Sequence, residues 1–98
     1  MSNLATGQAA CSLGESNTAA GIASVALGKG TYAAGDYSIA AGTQCWSDGK
    51  YSVAMGYQTE ADGTGSTAFG YETTASGAYS TAFGQSCTAS NYRTTAMG

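Results

Sequence analysis

The 98-residue sequence contains no proline and no histidine, and only 9% of its residues are charged. Without histidine, imidazole acid/base catalysis and histidine-ligated metal sites are excluded. Without proline, and without glycine at every third position, a collagen helix is excluded. The net charge of −3 provides no basic face for nucleic acid. No apolar run is long enough to cross a bilayer, so no membrane insertion by this segment is expected.

A secretion signal is also not visible, because Met1 leads directly into small and polar residues. The residues that are abundant are alanine, glycine, serine and threonine, and aromatic residues make up 10% of the chain. A biased composition is typical of repeats or of disorder, and the aromatic content together with the low charge favours repeats.

Glycine recurs at every seventh residue. We expect a turn at each such glycine, namely Gly14, Gly21, Gly28, Gly35, Gly42, Gly49, Gly56, Gly63, Gly70, Gly77 and Gly84. Gly7 and Gly98 continue the series, Asn91 is its one exception, and only Gly30 and Gly65 fall outside it. Asparagine tolerates a left-handed backbone better than most residues, so Asn91 is consistent with a turn at this position.

A coiled coil with this spacing would lose about 1 kcal/mol of stability at each glycine, whereas short strands separated by turns fit the pattern. Two kinds of unit alternate, such as YSVAMG (51–56) and TEADG (59–63), so the true period is 14. We predict one all-β domain, 1–98, that forms a parallel β-solenoid with two short strands in each of seven coils. The coils are 1–14, 15–28, 29–42, 43–56, 57–70, 71–84 and 85–98.

Each unit can be numbered from one to seven, with the glycine as position seven. Because side chains alternate along a strand, positions three, five and seven share one face, and they carry only small residues. That face must line a very narrow interior. The predicted interior residues are Ala19, Ala26, Ala33, Ala40, Ala54, Ala61, Ala68, Ala75, Ala82 and Ala89.

Positions four and six point outward. In every second unit they form an apolar stripe, and in the other units they are mostly polar. An exposed stripe seven coils long requires a partner, and identical chains packed around an axis would cover it. We therefore predict a homotrimer. The predicted interface consists of Cys11, Leu13, Val25, Leu27, Ile39, Val53, Met55, Thr67, Phe69, Thr81, Phe83, Thr95 and Met97.

The repeated S-V/I/T-A-h-G followed by x-x-T-x-A-x-G resembles the head domains of trimeric autotransporter adhesins of the YadA type, and the resemblance covers all seven coils. It implies a left-handed parallel β-roll assembled as a trimer. A full adhesin of this type also has a signal peptide, a neck, a coiled-coil stalk and a membrane anchor. None of these is visible here, so we expect a fragment, an excised domain or a protein that uses the roll alone.

Aromatic residues on the polar side suggest a ligand surface. Tyr32 and Trp46 occupy equivalent positions in consecutive coils, with Glu60 next in line, and Tyr57 and Tyr71 are also in phase. Exposed aromatic side chains beside polar groups bind glycans or protein surfaces. The alternative is that the stacked rings only cover and stiffen the roll.

The acidic residues Asp48, Glu60 and Asp62 form a second cluster. Carboxylates bind hard cations or act in pairs in glycosidases, but neither a calcium motif nor a cleft is predicted, so a solvated acidic patch is favoured. Cys45 and Cys87 point inward three coils apart, roughly 14 Å, too far for a disulfide. We predict no metal site, no cofactor and no enzymatic activity.

We predict an extracellular or cell-surface head module that attaches to a host protein or glycan. The alternative is a structural segment of a viral fibre or of a filament built by end-to-end stacking. An ice-binding solenoid is disfavoured, because Phe69 and Phe83 interrupt the threonine array. Both ends carry few charges and no proline, so we expect flanking domains or a second copy to cover them.

Overall fold

The computed structural model describes residues 3–98, and Met1 and Ser2 of the first predicted coil lie outside the described residues. The described chain is a parallel β-solenoid of about seven turns that measures 33 × 21 × 10 Å. The strands of the short-strand sheet are β1 Leu4–Ala5, β3 Thr18–Ala19, β5 Tyr32–Ala33, β7 Trp46–Ser47, β9 Glu60–Ala61, β11 Thr74–Ala75 and β13 Thr88–Ala89. The strands of the long-strand sheet are β2 Cys11–Glu15, β4 Val25–Lys29, β6 Ile39–Thr43, β8 Val53–Tyr57, β10 Thr67–Tyr71, β12 Thr81–Gln85 and β14 Thr95–Met97.

Every inner strand pairs in parallel with the strands 14 residues before and after it, and the first and last strands of each sheet pair on one side. Ala54 is therefore opposite Ala68 in the long-strand sheet, and Trp46 is opposite Glu60 in the short-strand sheet. Backbone hydrogen bonds run from coil to coil along the solenoid, as from the Val53 N–H to the Ser66 carbonyl at 2.9 Å. Side chains at equivalent positions consequently form ladders along the axis. The predicted all-β architecture with two strands per coil is confirmed.

The interior is lined by small side chains from both sheets. Nine alanines have no solvent exposure and Ala89 has 3%; these ten are the predicted interior set, Ala19, Ala26, Ala33, Ala40, Ala54, Ala61, Ala68, Ala75, Ala82 and Ala89. The buried serines Ser24, Ser38, Ser52 and Ser80 alternate with them and donate to a carbonyl three residues earlier, as Ser52 does to Gly49 at 2.6 Å. These bonds satisfy the four hydroxyls without requiring space for a larger partner, whereas the buried Ser66 hydroxyl has no partner among residues 3–98.

Asn17 is the largest fully buried side chain. Its amide nitrogen donates to the carbonyls of Leu13 at 2.6 Å and Gly28 at 2.8 Å. Its amide oxygen accepts from the backbone N–H and the hydroxyl of Thr31, at 3.0 and 2.8 Å. Because both ends of the amide are bonded, this side chain links successive coils from the inside.

The seventh-position glycines are not all turn glycines, so the prediction for them was wrong in part. Those of the apolar units, Gly14, Gly28, Gly42, Gly56, Gly70 and Gly84, lie inside the long strands, with φ between 115 and 122°. They are mostly exposed rather than on the interior face. Their backbone conformation strongly favours glycine, and a Cβ on Gly42 would lie 2.0 Å from the carbonyl oxygen of Gly56.

The glycines of the polar units, Gly21, Gly35, Gly49, Gly63 and Gly77, do begin tight turns and are buried. Stacking rather than a positive φ requires glycine there, because a Cβ on Gly49 would lie 2.1 Å from the carbonyl oxygen of Gly63. Asn91 belongs to this second set and has no positive φ, so our explanation of it was also wrong. At each of these glycines, the carbonyl oxygen that an added Cβ would meet belongs to the following coil. Asn91 lies in the last of the seven coils.

The left-handed turn residues come two positions after each seventh-position residue. Tyr37, Gln44 and Tyr51 are examples, with φ between 56 and 62°. The two glycines outside the seven-residue series, Gly30 and Gly65, occupy this same position, with φ of 66 and 69°. They are therefore ordinary members of the turn rather than irregularities of the repeat.

Candidate ligand-binding face

The two outer faces of the solenoid differ in chemistry. The long-strand sheet presents the apolar stripe, which consists of Cys11, Leu13, Val25, Leu27, Ile39, Val53, Met55, Thr67, Phe69, Thr81, Phe83, Thr95 and Met97. Each of these side chains is half-buried or exposed in the single chain. Phe69 and Phe83 stack with their rings 5.1 Å apart and nearly parallel. The stripe thus leaves large apolar side chains accessible along most of the solenoid.

The outer face of the short-strand sheet carries the predicted aromatic ladder. Tyr32 and Trp46 stack at 5.5 Å with their planes 30° apart, and Glu60 occupies the next in-register position. The Trp46 side chain is 47% exposed, although strand pairing fixes its backbone on both sides. The ladder therefore presents an accessible aromatic surface on a rigid backbone.

A shallow groove of about 510 Å³ runs along this ladder. Its lining residues are Gly30, Gln44, Trp46, Gln58, Thr59, Glu60 and Thr74. The glutamines lie at left-handed turn positions, and the side chains of Trp46, Glu60 and Thr74 lie at outward strand positions. The groove therefore follows the corner between a turn and the short-strand sheet, and it crosses several coils.

Gln44 and Gln58 are the site residues that sequence reasoning missed. The Gln58 amide nitrogen donates to the Gln44 amide oxygen at 3.0 Å across one coil. A signal for this pair was present, since the two glutamines are 14 residues apart at the same position of the repeat. Gly30 occupies the same repeat position one coil before Gln44, so the row of glutamine side chains stops at that end of the groove.

Tyr57 and Tyr71 do not line the groove, although they were predicted with Trp46 as one surface. They are the last residues of two long strands and stack on each other at 5.0 Å, as a separate ladder. Tyr37 and Tyr51 form another ladder at 5.3 Å, at left-handed turn positions. Stacking of equivalent residues thus brings aromatic rings together at several corners, but Trp46 is the one stacked ring of residues 3–98 that lines the groove, and Tyr32 lies behind it outside the lining.

The acidic side chains Asp48 and Asp62 lie beside the groove on the same sheet. Burial against neighbouring coils raises the pKa of Asp48, and the charge of Asp62 and a hydrogen bond with it raise that pKa further. Burial also raises the pKa of Asp62, as do the charge of Glu60 and a hydrogen bond with Glu60, whereas the hydrogen bond with Asp48 opposes the increase. Each of the two aspartates therefore holds its proton to a higher pH than an isolated aspartate does.

The three basic residues of the chain lie outside the groove lining. Lys29 pairs with Glu15 at 3.7 Å, Lys50 lies over the Tyr51 ring, and Arg93 lies over the Tyr92 ring. Because no lysine or arginine of residues 3–98 lines the groove or pairs with Glu60, Asp48 or Asp62, this face is acidic.

Between residues 3 and 98, no three Cys, Asp or Glu side chains converge into a metal-binding group. The three cysteines are free thiols: Cys45 is buried, Cys87 is half-buried and Cys11 is exposed on the apolar stripe. The described part of the chain also has no helix with the length and apolarity needed to cross a membrane.

A parallel solenoid with two contrasting outer faces and a closed, alanine-lined interior defines a class of surface-presenting repeat domain. Comparison with known families identifies the family to which this domain belongs. The family described as YadA head domain repeat (2 copies) matches residues 5–31, 19–44, 47–73, 61–86 and 75–98. The chain belongs to this family, which consists of adhesin heads and not of enzymes. A search of curated proteins finds no match.

Proposed function

We propose that the chain is the head module of a trimeric surface adhesin or fibre, and that it presents a repetitive surface for attachment to a host protein or glycan. The observation that carries this proposal is the pairing of an apolar outer face with a polar, aromatic one. Leu13 is 60% exposed and Met55 is 40% exposed in the single chain. Large apolar side chains exposed in a continuous row require a partner surface.

Three chains packed through the apolar stripe would cover these side chains and leave the groove facing outward. Membership of the YadA head family supports this arrangement, since the resemblance implies a trimer on a cell surface. Assembly would also compensate for an interior that buries little apolar area per residue, because alanine contributes far less than leucine or phenylalanine.

The second candidate function is a structural segment of a viral fibre or extracellular filament, with copies stacked end to end. The parallel register favours it, since each coil pairs in register with the next and a further copy would continue the same ladders. If a second copy stacked in register after residues 85–98, one of its backbone carbonyls would lie against the Cβ of Asn91. The second copy would therefore have to be shifted relative to the first at that end.

Two measurements on the purified chain test these proposals. Sedimentation velocity gives the oligomeric state, with a trimer as the expected result and a folded monomer at micromolar concentration as the contradicting one. Beads coated with the chain are then tested for attachment to cells and to extracellular-matrix proteins. A trimer that attaches to neither would favour the structural fibre, and filaments seen by electron microscopy would favour end-to-end stacking.

A further inference from the structure

We propose that the groove beside Trp46 binds a neutral oligosaccharide. The proposal rests on the proposed function of an attachment surface and names the ligand class and the place where it binds. The groove combines one accessible indole, two side-chain amides, one carboxylate and two threonines on adjacent coils, of which Thr59 is buried and Thr74 is half-buried. Each of these groups matches a part of a sugar ring.

The indole provides the apolar contact. Tyr32 stacks against Trp46 from the preceding coil, whereas the next coil presents the aliphatic stem and carboxylate of Glu60. Trp46 is therefore not held between two aromatic rings, and 47% of its surface stays accessible beside the groove. A pyranose ring has one face made of C–H groups, which packs on an aromatic surface.

The amides and the carboxylate provide the polar contacts. The bond between Gln58 and Gln44 uses one donor and one acceptor. Both N–H groups of Gln44, and one N–H group and the oxygen of Gln58, are left for a ligand. The Glu60 carboxylate accepts hydrogen bonds, and the Thr74 hydroxyl both donates and accepts. This mixture suits hydroxyl groups, each of which both donates and accepts hydrogen bonds.

Charge limits the class of sugar. Glu60 lies in the groove, Asp48 and Asp62 lie beside it, and no lysine or arginine lines it. Sulfated, sialylated or uronic glycans would meet like charge without a compensating cation. A basic peptide would pair with Glu60 and contact Trp46, but Glu60 is the one carboxylate among the lining residues, and the other polar groups of the lining are uncharged amides and hydroxyls. The lining therefore favours a neutral sugar over either alternative.

The test uses the whole 98-residue chain on an array of neutral hexose and N-acetylhexosamine oligosaccharides, sulfated and sialylated glycans, and a lysine-rich peptide. The best neutral ligand is then titrated by calorimetry. We expect Trp46→Ala to weaken its binding at least about tenfold. Gln58→Ala should weaken it by about three- to tenfold, since one or two hydrogen bonds are lost.

Tyr71→Ala is the matched control, because Tyr71 is 45% exposed and stacked like Trp46 but lies outside the groove. It should change binding by less than about twofold, as expected for a surface substitution away from the site. Circular dichroism of each variant should match the unsubstituted chain, since all three side chains are largely on the surface.

Several results would overturn the inference. The first is that the chain binds no neutral oligosaccharide at millimolar concentration, or that it prefers sulfated or sialylated glycans. The others are that the lysine-rich peptide binds in a Trp46-dependent way, or that Trp46→Ala and Tyr71→Ala lose the same amount of affinity for the neutral ligand. The bead assay separates this failure from failure of the proposed function. If Trp46→Ala beads attach to cells or matrix as well as beads with the unsubstituted chain, the attachment function stands and the groove is rejected as its glycan site.

Discussion

The two sheets of this solenoid share one interior but differ on the outside. Ala54 of the long-strand sheet and Ala61 of the short-strand sheet are both fully buried in the same narrow interior. Outside, Val53 and Met55 belong to the apolar stripe, whereas Glu60 and Asp62 are acidic. The interior imposes the same small residues on both sheets because no larger side chain fits there. Only the outer positions are free to specify partners, so the contrast between the outer faces carries the functional information.

Substitution of glycine should give the largest effect on stability. It separates the glycines that are required by close stacking between coils from those that are not. In Gly49→Ala, the new Cβ would lie 2.1 Å from the Gly63 carbonyl oxygen, which is backbone and cannot move without breaking bonds between coils. We expect a loss of about 3 kcal/mol or more of unfolding free energy, at or beyond the upper range for overpacking. Urea unfolding followed by circular dichroism measures it.

Gly30→Ala is the control for that prediction. Its nearest neighbour would be the Gln44 Cγ at 3.6 Å, and Ser16 already adopts a left-handed φ of 58° at the equivalent turn position of the preceding coil. The cost should be only about 1–2 kcal/mol, from placing alanine in a left-handed conformation. Equal losses in the two variants would show that stacking does not fix the seventh position.

Charge on the apolar stripe should give the next largest effect. Val53→Asp would place an unpaired carboxylate in the proposed interface and should weaken assembly by roughly 100-fold, or about 3 kcal/mol. Thr88→Asp places the same charge at an exposed outer position of the short-strand sheet and should leave assembly unchanged. Sedimentation velocity compares the two, and a Val53→Asp protein that assembles normally would reject this interface.

A smaller effect is expected from the buried threonines. The Thr73 hydroxyl is buried and has no hydrogen-bond partner among residues 3–98, so Thr73→Val should stabilise the fold by about 1 kcal/mol. The Thr31 hydroxyl instead donates to Asn17 at 2.8 Å, so Thr31→Val should destabilise it by about 1 kcal/mol. Thermal unfolding of both variants checks the signs, and a loss in both would mean that Thr73 is satisfied.

The smallest effect is the pH dependence from Asp48 and Asp62. Their pKa values are raised in the folded state, so the folded chain holds more protons than the unfolded chain between the ordinary aspartate pKa and the raised values. Stability should therefore fall as pH rises through that window. Both groups are mostly solvent-exposed, so screening limits the effect to below about 1 kcal/mol.

Asp48→Asn should remove the part of this dependence that comes from Asp48 and leave the part that comes from Asp62, whose pKa is raised by burial and by Glu60. It should also raise the melting temperature slightly at pH 7. Glu72→Gln is its control, because Glu72 is exposed at a turn position that already holds glutamine in two other coils. Melting curves at several pH values between 3 and 8 would decide the matter. A melting temperature of the unsubstituted chain that does not change with pH would show that the titration of Asp48 and Asp62 does not affect its stability.

The groove was only partly predictable. Trp46 and Glu60 follow from strand alternation, because outward positions can be counted along a known period. Gln44 and Gln58 lie at turn positions, where the direction of a side chain depends on the left-handed backbone and not on alternation. Tyr57 was grouped with Trp46 because both are aromatic, but it ends a long strand and belongs to another ladder.

By itself, the sequence determined the 14-residue period, the alanine interior and the apolar stripe. Each follows from one-dimensional spacing, because strands alternate strictly and glycine marks each unit. Only the tertiary structure decided that the long strands contain a glycine near φ 120°, as at Gly42, and that Gly49 is required by a carbonyl of the next coil. It also decided which outer side chains share a groove. These features depend on atoms 14 residues away and on backbone angles, which spacing alone does not specify.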